Sequence, residues 1–472
     1  MRDTLLAFLL NIVNRATTAV LFILLARLAG PDEAGIYTLG LSYVLIAGAL
    51  ATGLDDLLIR ETSRDPDQAP KWTVNVSVLR VALSLALWLA VAAVVTGARY
   101  TPRTSQLIVL LASSLVPEGL CSVGSAVLIA RRRIGLATVL AALVAAAKVG
   151  GGLAALFFGS GLPAVILASI VGSWLGSGLY LLAAGREIRL TDPVRQLDPG
   201  FSLLQLRVIS PFLMIGLLST LEYQLDILFL SVFKGETEVG WYSSTTTFLW
   251  ALWMVPVAYR MVYFPVMARY ARESPDRVAP LYWQSIHYLA ALAVPVAAGT
   301  VVLAPEIIRL VYGEGYEPSA VMLAIIVWAL PFVYAAVPNT RILLAFDGQE
   351  KVSRFLIITL AVNVVANLTL IPAFGGVGAA TARVLSSAVF GLTSWLRVRP
   401  LIRTGAPTRG LLSVAVAGAA CGAAAWVLRH QPLALPVLGG ALAYAVVLGA
   451  TGGVPPEAVR AIQQQLKGWI RV

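Results

Sequence analysis

Charge is scarce in this sequence. Charged residues make up 12% of its 472 residues, whereas average soluble domains have about 25%. Hydrophobic residues make up 58%, and the mean hydropathy is +0.83. A chain with this composition is predicted to be solvated mainly by lipid and by its own helices rather than by water.

Cysteine and histidine are almost missing as well. The chain has two of each, Cys121 and Cys421, His287 and His430. This excludes a disulfide framework and a zinc site with the usual spacing. The sequence has no phosphate-binding loop, no nucleophile elbow and no HExxH motif. The polar stretches are short, the longest being about 185–203, so no catalytic domain is predicted outside the membrane.

Long apolar runs are what the sequence does contain. A membrane-spanning helix needs about 20 mostly apolar residues. Fourteen such runs lie near residues 5–26, 36–59, 74–98, 105–130, 136–158, 162–184, 204–232, 240–265, 283–304, 319–345, 353–373, 377–397, 410–428 and 433–452. They are continuous rather than alternating, which excludes a β-barrel. The sequence therefore predicts an all-α polytopic membrane protein with 14 transmembrane helices, the first retained rather than cleaved.

The positive net charge is distributed unevenly along the chain. The net charge is +11, which could indicate nucleic-acid binding. With the N-terminus placed inside, however, the inner segments carry 24 lysines and arginines and the outer loops carry 6. This bias predicts cytoplasmic N- and C-termini in a multi-pass protein of the inner or plasma membrane. The basic residues thus indicate orientation, and no nucleic-acid partner is expected.

A short motif occurs twice. GPDEAGIY at 30–37 and GETEVGWY at 235–242 match at an offset of 205 residues, and FGSGLPA at 158–164 and FGGVGAA at 374–380 match at an offset of 216. Six predicted helices separate the first pair, so both copies lie on the same membrane face. The pattern predicts two six-helix lobes related by a parallel pseudo-twofold axis along the membrane normal. The predicted parts are the lobes 1–184 and 204–397, the cytoplasmic linker 185–203, two extra helices in 398–452 and an amphipathic cytoplasmic tail, 453–472.

Several segments mark a family. LLARLAGPDEAGIYTLGLS, DILFLSVFKGETEVGWYS, APEIIRLVYGEGYEPSA and FGGVGAATA resemble segments of the polysaccharide-unit or O-antigen flippases. These belong to the same exporter superfamily as multidrug/toxin extruders and lipid II flippases. The resemblance implies a transporter, not an enzyme, that moves a polyprenyl-(pyro)phosphate-linked oligosaccharide from the inner to the outer leaflet by alternating access. It also implies membrane lipids as neighbours, glycan polymerase or ligase machinery as a partner, and a monomer.

A phosphate that crosses the membrane needs cations along its path. Of the candidates within predicted spans, Arg15 and Lys148 lie near mid-helix, where they reach water only through a cavity. Arg80 and Arg260 lie within two turns of a cytoplasmic end, where they either face the cavity or extend to the headgroups; Arg383 is intermediate. Lipid II flippases bind pyrophosphate with arginines on helices 1 and 8, which favours Arg15 and Arg260. Their helix 2 arginine has no counterpart here.

Acidic residues also lie within the predicted spans. Glu118 is in mid-helix 4, and Glu222 and Asp226 are four residues apart in helix 7. Asp55 and Asp56 end helix 2 close to Arg60 and are expected to pair with it locally. The resemblance to lipid II flippases implies a sodium ion held by Asp226, Asn363, Asn367 and Thr381. The family has Asp where Asn367 stands, and such Asn residues also simply join neighbouring helices. A sodium ion or a proton is the expected coupling ion, as in an antiporter, and no other cofactor is expected.

Two alternatives remain open at this stage. A cation-coupled multidrug exporter has the same fold but usually twelve helices and an acidic cavity. A membrane glycan polymerase or glycosyltransferase needs catalytic acids or bases in a long loop, and the short loops argue against it. A transport assay with purified protein distinguishes the exporter from the flippase.

Overall fold

The structure is a computed structural model. It describes the backbone of residues 2–98, 100–189, 192–346, 349–402 and 408–453. Within these ranges, side chains are described from residue 17 onward, except at 199–215, 219, 254, 257–258, 260–262, 264–265, 268, 272, 275, 345, 349–351 and 353. The predicted amphipathic tail lies outside the described residues from 454 onward.

Helices form nearly all of this described part, and it contains no strand. The sixteen α-helices there are α1 (Arg2–Ala49), α2 (Gly53–Arg64), α3 (Ala69–Gly97), α4 (Pro102–Ala112), α5 (Leu115–Ala130), α6 (Ile134–Phe157), α7 (Gly161–Glu187), α8 (Pro199–Lys234), α9 (Glu236–Leu252), α10 (Met254–Glu273), α11 (Val278–Val311), α12 (Glu317–Ile326), α13 (Ala329–Ala345), α14 (Gln349–Val398), α15 (Thr408–Leu428) and α16 (Ala434–Ala450). The prediction of an all-α fold is confirmed.

The helices account for the predicted membrane spans. Over the residues that could be searched, nine helical stretches are long and apolar enough to cross a membrane, and a tenth if α1 and α2, bent by 42°, form one broken span. The very long α14 holds two predicted spans, separated by Gly375, whose backbone is not helical. In α1, Gly30 likewise separates the first predicted span from the start of the second, which continues into α2. Together α9 and α10 cover the eighth predicted span, and the 17-residue α16 covers the last. The protein is therefore a multi-pass membrane protein, and the fourteen predicted spans all lie on helices.

The chain forms two compact units. The first comprises residues 1–247 with 367–379, and the second comprises 248–366 with 380–472. In the first unit α1 packs against α4, α6 and α8, while α5 packs against α3 and α7. In the second unit α11 packs against α12, α13 and α15, and α15 pairs with α16. The boundaries of the six-helix lobes, at residues 184 and 204, remain predictions.

One glycine of each repeated motif has a left-handed backbone in both copies. Gly30 and Gly235, which begin the two copies of the first motif, have φ of +87° and +89°. Gly159 and Gly375, equivalent positions in the second motif, have φ of +69° and +56°. Glycine is the residue that adopts this left-handed region without steric cost. Each of these glycines thus ends one helical stretch and lets the next start in a new direction.

The two copies of the first motif, hereafter the hinge copies, contact each other within the first unit. Gly35 lies against the backbone of Glu236, and Gly240 lies against the backbone of Pro31. Residue 236 is the equivalent of 31, and 240 is the equivalent of 35, so the contact is reciprocal, as a twofold axis requires. The pseudo-twofold axis predicted from the sequence therefore passes between the hinge copies.

Close to this axis, one residue meets its own equivalent. Thr237 is the equivalent of Asp32, and its hydroxyl donates a hydrogen bond to the Asp32 carboxylate. Away from the axis, the equivalent acids have different partners. Glu33 pairs with Arg103 at 2.5 Å, whereas Glu238 accepts a hydrogen bond of 2.8 Å from the backbone amide of Gly376. The carboxylate of Glu238 thereby fixes the turn that interrupts α14.

Alanine at either hinge glycine should destabilise the protein. A β-carbon at Gly35 would overlap the carbonyl oxygen of Glu236, and one at Gly240 would overlap that of Pro31. We expect Gly35→Ala and Gly240→Ala each to lower the free energy of unfolding by about 1–3 kcal/mol, measured by thermal unfolding in detergent. Gly48→Ala is the matched control, because a β-carbon there meets nothing within 4 Å. Equal melting temperatures for Gly35→Ala and Gly48→Ala would contradict the close contact.

Candidate substrate and ion sites

Two of the predicted site residues form an ion pair in the first unit. Nζ of Lys148, on α6, lies 2.9 Å from Oε1 of Glu118, on α5. The side chains are 24% and 41% exposed, so the pair is accessible from outside the helix packing. On α7, a β-carbon at Gly172 would come within 2.8 Å of Lys148 Cγ. The glycine thus leaves room for the lysine, and the site presents a cation whose charge a neighbouring acid compensates.

Arg80 is buried in a second polar cluster of the same unit. Its guanidinium donates to the carbonyl of Ala51, in the break between α1 and α2, and lies 3.5 Å from Asp55 Oδ1. The other carboxylate oxygen of Asp55 accepts a hydrogen bond of 2.5 Å from Ser122. Arg80 is 6% exposed, so it does not extend to the headgroups. It binds the backbone where the helix is interrupted, which makes its described role structural.

The prediction that Asp55 and Asp56 pair locally with Arg60 is wrong. Arg60 pairs instead with its neighbour Glu61, at 2.8 Å. Residues five apart, such as Asp55 and Arg60, lie on nearly opposite sides of a helix, whereas positions three or four apart face each other. Asp56 is four residues from Arg60, but the arginine contacts Glu61 instead. Asp55 therefore faces Arg80 on α3, and the side chain of Arg60 is largely exposed.

Asp226, the principal acid predicted to bind a cation, is fully buried in the first unit. Its Oδ2 accepts a hydrogen bond of 2.7 Å from the Tyr242 hydroxyl, and its Oδ1 accepts one of 2.8 Å from Nδ2 of Asn367. The sequence predicted Asn367 as a neighbour. It did not predict Tyr242, although Tyr242 ends the second hinge copy. Its equivalent in the first copy, Tyr37, is also buried and lies near Glu118.

The contacts of Asp226 bear on the predicted sodium site. Sodium requires oxygen ligands, but here both oxygens of the carboxylate accept hydrogens from neutral donors. This arrangement satisfies the carboxylate without an ion. The other two predicted ligands, Asn363 and Thr381, belong to the second unit. Asn363 is fully buried, and its side-chain amide lies 3.5 Å from the Ser386 hydroxyl. Thr381 is exposed. Sodium binding remains a prediction.

The remaining predicted residues are distributed as follows. Glu222, one turn before Asp226 on α8, is buried, and Arg383 is buried on α14 in the second unit. Arg15 and Arg260 lie in α1 and α10, but their side chains are outside the described residues. In the searched part of the chain, no three His, Cys, Asp or Glu residues are grouped to bind a metal.

Neutral polar residues also connect the helices of the first unit. Ser42 donates to Gln224 at 2.8 Å, and both side chains are buried. The hydroxyls of Tyr43 and Tyr100 are 3.2 Å apart, and that of Tyr100 is 2.8 Å from the Ser231 hydroxyl. These contacts join α1 and the segment before α4 to α8. Nothing in the sequence distinguished these serines and tyrosines from other polar residues in apolar runs.

Comparisons with known proteins agree with this fold. A family model described as Polysaccharide biosynthesis protein matches residues 24–321. A curated relative, "Probable flippase AglR" of Haloferax volcanii, is 24% identical over 474 residues, covering 95% of each chain. A second relative from the same organism, named as a probable low-salt glycan biosynthesis flippase, is 25% identical over 166 residues, 35% of each chain.

Solved structures show the same architecture. The lipid II flippase MurJ in an inward closed conformation has a TM-score of 0.77 at 14% identity, covering 94% of this chain and 98% of that one. An inward-facing multidrug resistance MATE family transporter of the MOP superfamily has a TM-score of 0.64 at 16% identity, covering 83% and 96%. At these identities the likeness establishes the fold. With more than half of its length matched by the family model, the chain belongs to the polysaccharide biosynthesis protein family and has the fold of the MOP transporters, as its resemblance to flippases predicted.

Proposed function

We propose that the protein is a flippase that moves a polyprenyl-(pyro)phosphate-linked oligosaccharide from the inner to the outer leaflet by alternating access. The observation that carries the proposal is the similarity to a named flippase along 95% of both chains. The polysaccharide family match and the fold shared with a lipid II flippase support it. The glycan polymerase or ligase partner, the monomeric state and the cytoplasmic termini remain predictions.

The chemistry of the Lys148–Glu118 pair suits such a substrate. A (pyro)phosphate headgroup cannot enter a low-dielectric region without a compensating cation. Lys148 already holds a carboxylate at 2.9 Å and is partly exposed, so a phosphate can take the place of that carboxylate. Glu118 then keeps the lysine charge compensated when no substrate is bound. The other predicted cations, Arg15, Arg260 and Arg383, would supply the rest of the path, and Arg80 would hold the helix break beside it.

The contact between the hinge copies must open during alternating access. Their contact, on the predicted outer side, closes the space between residues 30–37 and 235–242. For the headgroup to leave on that side, the reciprocal contacts of Gly35 and Gly240 must separate. Conversely, their close approach keeps that side shut while substrate enters from the other.

An ion gradient is the available energy source for this cycle, because the sequence has no nucleotide-binding motif. One charge moving through 100 mV supplies about 2.3 kcal/mol. Asp226 is the best-placed coupling residue in the first unit, since it is a fully buried acid that contacts α9 and α14. Glu222 and Glu118 are the further acids that would take part with a sodium ion or a proton.

A multidrug exporter is the second candidate, since the fold likeness to a MATE family transporter supports it. Reconstitution in liposomes separates the two functions. We expect purified protein to move an undecaprenyl-pyrophosphate-linked oligosaccharide across the bilayer, detected by the fraction of glycan accessible to an external glycosidase, and not to move a cationic dye. If the protein transports the dye but does not move the glycan, it is a multidrug exporter and not a flippase.

Removing the Lys148 charge should abolish glycan movement. We expect Lys148→Ala to reduce the flipping rate by at least about tenfold, since a buried phosphate loses a cation partner. The double substitution Lys148→Glu with Glu118→Lys is the matched control, because it preserves the pair but exchanges its charges. If Lys148 binds phosphate at this position, the exchange restores thermal stability but not flipping. Full recovery of flipping in the exchanged protein would assign the pair a packing role only.

Linking the hinge copies should stop transport. With Cys121 and Cys421 replaced by alanine, Asp32→Cys and Thr237→Cys place two thiols where the side chains now touch. We expect oxidation to form a disulfide and to arrest flipping, and reduction to restore it. The single-cysteine proteins are the controls and should be unaffected by oxidant. Undiminished flipping with a complete cross-link would mean that the hinge copies stay together during transport.

Replacing Asp226 tests the coupling ion. If sodium binds at Asp226, sodium chloride should raise the melting temperature of the wild type above the value in choline chloride, because a ligand stabilises the state that binds it. Asp226→Asn should lose this response and the ion dependence of flipping, while it still binds the lipid-linked glycan. Asp32→Asn, an acid outside the spans, is the control and should respond as the wild type does. An equal response of Asp226→Asn would assign Asp226 to internal hydrogen bonding.

A further inference from the structure

Five arginines gather where three helices of the first unit end. The turn between α5 and α6 contributes Arg131, Arg132 and Arg133, and the end of α7 contributes Arg186 and Arg189. Glu187 joins the two segments. Its carboxylate lies 2.9 Å from Arg133 Nε, and its carbonyl accepts a hydrogen bond of 3.3 Å from Arg131. These five arginines, with Glu187, are called the arginine surface below.

The charge of the arginine surface is largely uncompensated. Glu187 is the acid described in contact with it, so five positive charges face one negative charge. Arg132, Arg186 and Arg189 are exposed, and their side chains have no partner among the contacts that the structure describes. A surface of this kind has its donors available for an anion from outside the chain.

The backbone of the arginine surface is unusual. In the described part of the chain, Arg132 and Arg189 are the two residues other than glycine with a positive φ, at +60° and +51°. Glycine usually occupies this conformation at the end of a helix. At Arg132 the turn is closed by hydrogen bonds from the amides of Arg132 and Arg133 to the carbonyls of Ile129 and Leu128. Both instances occur at the ends of neighbouring helices, and both residues are arginines. The helix-ending turns thus place both arginines just beyond the ends of α5 and α7.

The surroundings of the arginine surface identify its depth in the membrane. Ile129 and Ile134, on either side of the arginine turn, are 38% and 45% exposed, and Leu182, one turn before Arg186, is 65% exposed. Exposed apolar side chains on membrane helices face lipid. The arginines thus begin where the lipid-facing surface ends, which is the level of the phospholipid headgroups. In addition, Gly135 at the start of α6 has open space beside it, so an anion can approach the first backbone amides of that helix.

We propose that the arginine surface binds the headgroup phosphate of an anionic phospholipid from the adjacent leaflet. Guanidinium groups bind phosphate oxygens bidentately, and clustered arginines beside a membrane helix attract anionic lipids. A soluble anion would make no contact with the exposed apolar residues beside the arginines. A phospholipid would place its acyl chains against these residues, Ile129, Ile134 and Leu182. The bound lipid would fix the ends of α5, α6 and α7 to one leaflet. The proposal does not depend on the transported substrate.

Lipid titration of purified protein tests this assignment. Phosphatidylglycerol and phosphatidylcholine are each added to detergent-solubilised protein, and bound lipids are counted by native mass spectrometry. We expect saturable retention of phosphatidylglycerol and weaker retention of phosphatidylcholine. Arg132→Ser, Arg186→Ser and Arg189→Ser together should weaken the phosphatidylglycerol affinity by about a hundredfold, and each alone by about fivefold, given the usual contribution of one arginine at a membrane surface.

A second triple variant controls for net charge. This variant removes the same amount of charge from the predicted outer loops through the substitutions Arg103→Ser, Arg309→Ser and Arg429→Ser. Its affinity for phosphatidylglycerol should stay within about twofold of the wild type, because the arginine surface that supplies the phosphate contacts is intact. Two results would overturn the proposal. One is an equal loss of phosphatidylglycerol affinity in both triple variants; the other is a loss below about threefold in the first triple variant, which is less than the contribution of a single arginine. Displacement of phosphatidylglycerol by millimolar inorganic phosphate would also overturn it, because the site would then recognise a free anion. If the first triple variant fails to fold, the single variants decide by the same criteria.

Discussion

Every polar group within the membrane has to find a partner inside this protein, because hydrocarbon offers neither hydrogen bonds nor counter-ions. The described contacts of the first unit follow from this constraint. Lys148 pairs with Glu118, Arg80 binds the carbonyl exposed by a broken helix, and Asp226 receives two hydrogen bonds. A transporter of a charged headgroup must satisfy the same constraint for its substrate. The residues that can exchange an internal partner for an external one are therefore the ones expected to bind it.

These three polar sites differ in how readily they could make such an exchange. Arg80 and Asp226 are buried, and each has two described partners: Arg80 contacts the carbonyl in the break before α2 and Asp55 on α2, and Asp226 contacts α9 and α14. Lys148 has one described partner and is partly exposed. The first two sites therefore suit a structural or coupling role, in which a change of charge alters helix packing. The Lys148 site suits a ligand that arrives and leaves, because Lys148 is partly exposed and holds one described acid.

The sequence allowed the all-α fold, the placement of the apolar spans on helices and the repeated motifs to be predicted, because lipid imposes a simple rule on the residues that face it. The glycines of the hinge copies were also recognisable, since a positive φ restricts the choice of residue. The partners of the charged groups were less accessible. Asp55 faces Arg80 rather than Arg60, and Tyr242 binds Asp226, because these pairings depend on helix rotation and on contacts between distant segments. The sequence supplied the charged candidates, but only the three-dimensional arrangement shows their partners.

The contact between Asp32 and Thr237 shows what internal symmetry permits at the hinge copies. A residue beside a twofold axis meets its own copy, so two identical acids there would repel each other. A hydroxyl opposite the acid removes this repulsion and supplies a donor. Glu33 and Glu238 lie away from the axis and meet Arg103 and the Gly376 amide, so both copies can remain acidic. If the two halves of the chain arose by duplication of one ancestral sequence, equivalent residues on the axis would have been the first that had to differ. Equivalent residues away from the axis could keep the same residue type.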